Sequence, residues 1–284
     1  MPMSSILLGF LTLVILNGCT HLFFFPSRAL VVSPEQLGLE FEDVYFPSAD
    51  GTRLHGWFFP AKTQPVKGTV VQFHGNAENL STHFRSLIWV IEHGYHLFTF
   101  DYRGYGRSEG QVSVEGALDD ARAAIAQARV LPTPEAGTRL ILYGQSLGGT
   151  LLLYVAGTME DRAGMAVVIA DSSFSSYQAI AREKLADHWL TFILQPLAYV
   201  LISDRYAPEH VLAKISPVPL LVIHGDRDQI VPVHYGQRIY DRANAPKWFW
   251  KLEGVGHIQA MAPGYGQHRQ ALLDFLDQLA SVPK

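Results

Sequence analysis

Residues 140–154, Leu-Ile-Leu-Tyr-Gly-Gln-Ser-Leu-Gly-Gly-Thr-Leu-Leu-Leu-Tyr, restrict the folding of this chain more than any other stretch. An apolar run ends at Tyr143, the pattern Gly144-Gln145-Ser146-Leu147-Gly148 follows at once, and an apolar segment with helical potential begins directly after it. The order is strand, sharp turn, helix. Ser146 then sits at the tip of a strained turn, with glycines keeping side chains out of the crowded space beside it. The start of the helix directs unpaired N–H groups and its dipole at the serine oxygen, where negative charge can be held. A glycine-flanked serine can arise by chance; a strand before it and a helix after it are the context a nucleophile requires.

The flanking sequence extends the same rhythm. Val44–Phe46 and Arg53–Phe59 read as two strands around the turn Ser48-Ala49-Asp50-Gly51. Strands follow at Thr69–Phe73, Tyr95–Phe100, Leu140–Tyr143, Met165–Ala170, Leu220–Ile223 and Lys247–Leu252, with helices expected at Ser81–His93, about Val114–Ala128 and after Ser146. Continuous apolar strands alternating with helices imply an α/β fold: a mostly parallel central sheet covered by helices on both faces. Residues 171–215 are far longer than an ordinary connection and contain Trp189–Leu194 and Leu197–Ile202. They are expected to form a small helical cap over the carboxyl ends of the strands, its apolar residues lining a substrate pocket or packing onto the core.

With 48% hydrophobic and 17% charged residues, a chain of 284 suits one large domain, expected from about residue 41 to 284. A net charge of −4 and the lack of any Lys/Arg-rich run speak against nucleic acid as a partner. At the amino terminus, Ile6–Leu16 is an apolar run interrupted by Gly9 and Thr12, of signal-peptide length. It leads into Leu16-Asn17-Gly18-Cys19, which resembles the lipobox of bacterial lipoproteins. That resemblance implies a signal at residues 1–18, lipid attachment at Cys19, a tether over residues 19–40, and a soluble domain held at the bacterial cell envelope, at the outer membrane in a Gram-negative host. The alternative is an uncleaved anchor in which Cys19 is a buried small residue.

After the Leu220–Ile223 strand comes His224-Gly225-Asp226-Arg227-Asp228-Gln229-Ile230-Val231-Pro232, and after the Lys247–Leu252 strand comes Glu253-Gly254-Val255-Gly256-His257. Serine, aspartate and histidine thus occur in the order Ser146, Asp228, His257, the last two each on a loop after a late strand. With His74-Gly-Asn-Ala-Glu-Asn79 and Asp101-Tyr-Arg-Gly-Tyr-Gly-Arg-Ser108, these blocks resemble the α/β-hydrolase superfamily from about Val44 to the carboxyl terminus. The nearest likeness is to single-domain serine hydrolases of the membrane-tethered acyl-protein thioesterase and serine aminopeptidase groups. The resemblance implies Ser146 as nucleophile, His257 as base and Asp228 as its orienting acid, with Asp171 as the other candidate acid. It implies an oxyanion hole from the N–H groups of Leu147 and Asn76, with Ala77 as an alternative to Asn76, and a structural place for His74.

The expected activity is hydrolysis of acyl esters, thioesters or lipid-like substrates, with no cofactor. A serine peptidase is the alternative, in which an aminopeptidase would use cap carboxylates such as Glu183, Asp187, Asp204 or Glu209 to grip a free amine. A non-catalytic scaffold is a third reading, which the presence of all three triad residues opposes. Gly104-Tyr-Gly106-Arg-Ser-Glu-Gly110 lacks the spacing of a dinucleotide loop, and His93 and His96 have no accompanying HExxH or carboxylate cluster, so neither nucleotide nor metal is expected.

Overall fold

The computed structural model describes residues 23–131, 139–187 and 189–281. Cys19 and the apolar run before it lie outside them. Eight strands form one sheet: β1 (Glu42–Pro47), β2 (Arg53–Phe59), β3 (Gly68–Phe73), β4 (Tyr95–Asp101), β5 (Leu140–Gln145), β6 (Met165–Asp171), β7 (Leu220–Gly225) and β8 (Lys247–Leu252), in the spatial order β8-β7-β6-β5-β3-β4-β2-β1. Every neighbouring pair is parallel except β1 with β2 and β2 with β4.

Both faces of the central strands are buried, so these strands read as continuous apolar runs. Within them side chains still alternate. Val71, Phe73, Leu142, Val168 and Val222 enter one core with helices α1 (Val114–Val130) and α2 (Leu147–Thr158). Val70, Ile141, Val167, Ile169 and Leu221 enter the opposite core with Leu80–Ile91 and the carboxyl-terminal helix. This period of two divides a uniformly hydrophobic strand between two helical layers. Helix α1 starts where the Ser113 side chain accepts a hydrogen bond from the Gly116 N–H at 3.1 Å, a capping interaction that stabilises a helix start by about 1 kcal/mol.

The expected helix over Ser81–His93 is instead one α-turn, Leu80–His83, followed by 3₁₀ turns at Phe84–Ser86 and Ile88–His93. Side chains compete with the helical ladder here: Ser86 Oγ donates to the His83 carbonyl and Trp89 Nε1 to the Ser86 carbonyl.

Between β6 and β7 the cap carries α3 (Tyr177–Ala186), capped by Ser176, a 3₁₀ turn at Phe192–Leu194, and α4 (Gln195–Leu201). Some of its apolar residues, Tyr177 and Ile180, pack onto the core, and others face outward. Trp189, Ile193 and Val200 are 83%, 79% and 57% exposed. After the cap come α5 (His234–Arg242) and α6 (Gly266–Ser281).

Within the stretch expected as a tether, residues 23–29 are stitched across the carboxyl end of the sheet. Phe25–Pro26 pairs in parallel with Ala77–Glu78. The Asn79 side-chain amide donates to the Ser27 and Ala29 carbonyls at 3.0 and 2.7 Å.

Candidate active site

The turn at Ser146 arises from close packing. Ser146 has φ 53° and ψ −120°, a backbone state that L residues adopt only under constraint. A side chain on Gly148 would run into the carbonyl oxygens of Phe73 and His74, and one on Gly144 into Gly149. The first turn of α2 therefore lies directly against the end of β3, as only glycine permits. The turn is pinned by the Ser146 N–H, which donates to the Asp171 carbonyl at 2.8 Å.

Residues more than 80 positions apart in sequence converge on this serine. His257 Nε2 lies 3.0 Å from Ser146 Oγ, and His257 Nδ1 lies 2.7 Å from Asp228 Oδ2. The structure thus brings Ser146, His257 and Asp228 into one hydrogen-bonded chain at the carboxyl ends of β5, β7 and β8. Asp228 is buried, and its Oδ1 accepts from the N–H groups of Ile230 and Val231 at 2.9 and 2.8 Å. Burial alone would push its carboxyl up. Hydrogen bonds from His224, His257 and the Val231 N–H outweigh that effect and hold it well below the usual carboxylate range.

The loops carrying Asp228 and His257 are tied to each other. Asp226 accepts from the Gly254 N–H at 2.8 Å, and the Arg227 N–H donates to the Val255 carbonyl at 3.0 Å. The other candidate acid, Asp171, is fully buried but engaged elsewhere, accepting from Tyr143 Oη at 2.9 Å and Ser172 Oγ at 3.0 Å. Burial raises its pKa.

Leu147 opens α2, where an N–H has no partner within the helix. Gly75 packs beside the Ser146 turn, where a Cβ would lie 3.2 Å from His83 Cε1 and 3.8 Å from Ser146 Cβ, so Asn76 follows directly on a residue next to the elbow. The Asn76 carbonyl is fixed from two sides, by the Phe25 N–H at 2.8 Å and Tyr105 Oη at 2.7 Å. His74 is buried against Tyr102, Tyr105 and His83, with Nδ1 2.7 Å from the Gly75 carbonyl and Nε2 3.3 Å from Asp101 Oδ1.

A cleft of about 230 Å³ opens beside the triad, lined by Glu78, Thr82, His83, Ser86, Gln145 and Ile258. Burial, and secondarily the neighbouring His74, push the His83 imidazole down to about 4. The four cap carboxylates are already engaged. Glu183 faces His234, Asp187 faces Lys184, Asp204 accepts from Ser176 and Gln178, and Glu209 takes Arg238 and Arg242.

Two supporting groups lie in sequence blocks that carry the resemblance, but the sequence assigns them no role. His224 is buried at the end of β7, its Nε2 2.7 Å from the Val231 carbonyl and 3.5 Å from Asp228 Oδ2, so it holds the acid loop in shape. The Asp101–Ser108 block is a brace for the neighbouring loops. Asp101 Oδ1 accepts from the Leu80 N–H at 2.7 Å, and Arg103 pairs with Asp120 and Asp50, each at 2.8 Å.

A mostly parallel sheet with one antiparallel strand and a serine at a strand–helix turn define an α/β-hydrolase fold. The esterase PF2001 of Pyrococcus furiosus shares that fold, with a TM-score of 0.72 at 22% identity over 90% of this chain and 98% of that one. Residues 64–212 match the family described as "Serine aminopeptidase, S33", and the chain belongs to this family of hydrolases. The Escherichia coli K12 protein YfhR is 38% identical over 241 residues, which cover 83% of this chain and 80% of YfhR. The α/β-hydrolase domain-containing protein WAV2 of Arabidopsis thaliana is 27% identical over 264 residues, covering 89% and 84% respectively.

Proposed function

We propose that this protein is a serine hydrolase that cleaves carboxylic ester or thioester bonds through Ser146, His257 and Asp228. The observation that carries the proposal is the unbroken chain from Asp228 Oδ2 through both ring nitrogens of His257 to Ser146 Oγ, with spacings of 2.7 and 3.0 Å. Ser146 Oγ attacks the substrate carbonyl carbon as His257 Nε2 takes its proton. The N–H groups of Leu147 and Asn76 receive the oxyanion of the tetrahedral intermediate. Collapse expels an alcohol or thiol, which takes the proton from His257 and leaves an acyl group on Ser146. Water, deprotonated by the same imidazole, then releases the carboxylic acid. Asp228 stays ionised throughout, holding the Nδ1–H tautomer and stabilising the imidazolium.

Engagement of Glu183, Asp187, Asp204 and Glu209 by other side chains favours acyl hydrolysis over an aminopeptidase that grips its substrate with the cap. One observation supports the peptidase as a second reading: Glu78 lines the cleft beside the triad and is the one carboxylate among its lining residues. The apolar run at Ile6–Leu16 and Cys19 support attachment of the domain to a membrane of the cell envelope.

The test is fluorophosphonate labelling of the full chain, with the adduct located by peptide mass spectrometry, followed by an ester and thioester chain-length series beside aminoacyl anilides. Labelling at Ser146 that vanishes in Ser146→Ala, with turnover of esters, is the expected result. Folded protein that does not label would overturn the hydrolase reading. Turnover of anilides alone, lost in Glu78→Gln, would replace it with the peptidase.

A further inference from the structure

Exposed large apolar side chains are unevenly distributed over this protein. Val31, Leu37, Tyr45 and Val130 stand singly. Such isolated residues occur on most protein surfaces and need no explanation. The cap differs. No Asp, Glu, Lys or Arg occurs between Asp187 and Asp204. Within that interval Trp189, Leu190, Phe192, Ile193, Tyr199 and Val200 are each between 55% and 83% exposed. A contiguous apolar surface on a folded domain marks an interaction site.

The position of this surface restricts its partner. The cap leaves the sheet at the carboxyl end of β6, and the Lys184 ammonium of α3 donates to the Gln229 carbonyl at 3.0 Å, next to Asp228 on the acid loop. The apolar face and the Ser146–His257–Asp228 chain therefore lie at the same end of the sheet. The amino-terminal chain arrives there too. The Phe23 ring packs on Phe174 and Tyr177 at the root of the cap, with centroids 5.9 and 5.2 Å apart, and Phe24 is buried beside it. The residues leading into Phe23 include the apolar run Ile6–Leu16. The described chain thus begins at the root of the cap, and a lipid bilayer can receive both the cap face and the apolar segment that precedes Phe23 in the sequence. A second copy would have to match the shape of each. Trp189 and Tyr199 within the cap surface are the side chains favoured where protein meets the headgroup region.

We infer that the exposed face of the cap, Trp189–Val200, is a bilayer-contact surface that turns the carboxyl end of the sheet toward lipid. It works with the amino-terminal segment as a second contact: one holds the domain at the membrane and the other fixes its orientation. Substrates carried in the outer part of the bilayer then meet the cleft without crossing bulk water.

The inference is tested with the full chain in phosphatidylcholine–phosphatidylglycerol vesicles containing lipids brominated on the acyl chains, which quench only tryptophans in contact with them. Trp57 is 1% exposed and so is shielded, and any signal from the half-buried Trp89, Trp248 and Trp250 is common to both proteins, so the difference between wild type and Trp189→Phe reports Trp189. Bromine-dependent quenching is expected in the wild type and is expected to be lost in Trp189→Phe, with slowed amide exchange over 192–200 on vesicle binding. In Phe192→Glu/Ile193→Glu, checked for an unchanged melting temperature, that slowing disappears while the protein stays on the vesicles.

Equal quenching in wild type and Trp189→Phe, or none in either, would overturn the inference. So would shielding of Trp189 from aqueous iodide that grows with protein concentration, which assigns the face to a second copy, or shielding independent of both concentration and lipid, which assigns it to the chain's own amino terminus. The readout is position and not turnover, so it stands apart from the outcome of the hydrolase test.

Discussion

Replacing Asp228 by asparagine tests the orienting role of the acid with little change in shape. The geometry dictates which way the amide must turn. Oδ1 accepts from two backbone N–H groups, those of Ile230 and Val231, so the asparagine oxygen stays there and its NH₂ faces His257 Nδ1. Nδ1 must then accept, which moves the ring proton to Nε2, 3.0 Å from Ser146 Oγ. An imidazole protonated at Nε2 cannot take the serine proton. A wrong tautomer of this kind lowers kcat about 10⁴-fold, or about 5.5 kcal/mol of transition-state stabilisation. The fold should lose far less, about 1–2 kcal/mol, since both backbone bonds persist. Initial rates on a short p-nitrophenyl ester and the rate of fluorophosphonate inactivation should fall together, because both need the deprotonated serine. The companion variant Asp171→Asn leaves the Asp171 carbonyl on the Ser146 N–H and should cost less than about tenfold. Folded Asp228→Asn working within tenfold of wild type would refute the reasoning, and the reverse ranking would give the acid role to Asp171.

Three further outcomes follow from the same structure. Tyr105→Phe removes the hydroxyl that fixes the Asn76 carbonyl; a loss of about 1 kcal/mol should appear as a several-fold drop in kcat with KM nearly unchanged, and a change confined to KM would count against Asn76 as an oxyanion donor. Gly148→Ala drives a methyl group into the Phe73 and His74 carbonyls; overpacking of about 1–3 kcal/mol should lower the melting temperature and abolish labelling of Ser146 as α2 moves off β3. His83, pushed down to about 4 from 6.5, is neutral in the fold where the unfolded chain would be charged. Its contribution to stability is complete above pH 6.5 and declines as pH falls toward 4, by at most about 3 kcal/mol. Denaturant midpoints measured between pH 7 and 4.5 should fall less steeply in His83→Gln, and equal slopes would place the pH sensitivity elsewhere.

What could be read from the sequence divides along a physical line. The buried strands were legible because a strand covered on both faces needs an unbroken apolar run, and the run at Leu140–Tyr143 carries that information locally. Ser146 was legible because its strain demands small neighbours, which leave Gly144 and Gly148 as a mark. The cap face was not legible in this way, since an apolar count does not say whether Trp189 points inward or outward. Nor was the strap at Phe23–Ala29, whose bonds to Asn79 and Tyr105's partner Asn76 join residues about fifty positions apart that carry no shared local pattern.

The strained backbone at the site makes the division sharper. Among the described residues the non-glycine positions with positive φ are Glu78, Ser146, Ser172 and Ile258. Each borders the Ser146–His257–Asp228 chain or the cleft beside it: Ser172 Oγ accepts from the Ile258 N–H at 3.0 Å directly after His257, and Glu78 and Ile258 line the cleft. Positive φ costs a non-glycine residue about 1–3 kcal/mol and persists only where surrounding bonds over-determine it. At Ser172 those bonds come from β7, through its N–H to the Ile223 carbonyl, and at Glu78 from the strap, through the Ser27 N–H to its own carbonyl. Strain of this kind is supported by distant chain segments and leaves no mark in the neighbouring residues. The turn at Ser146 is therefore marked in its own sequence neighbourhood, whereas the residues that hold His257 and the cleft in place became visible only in the fold.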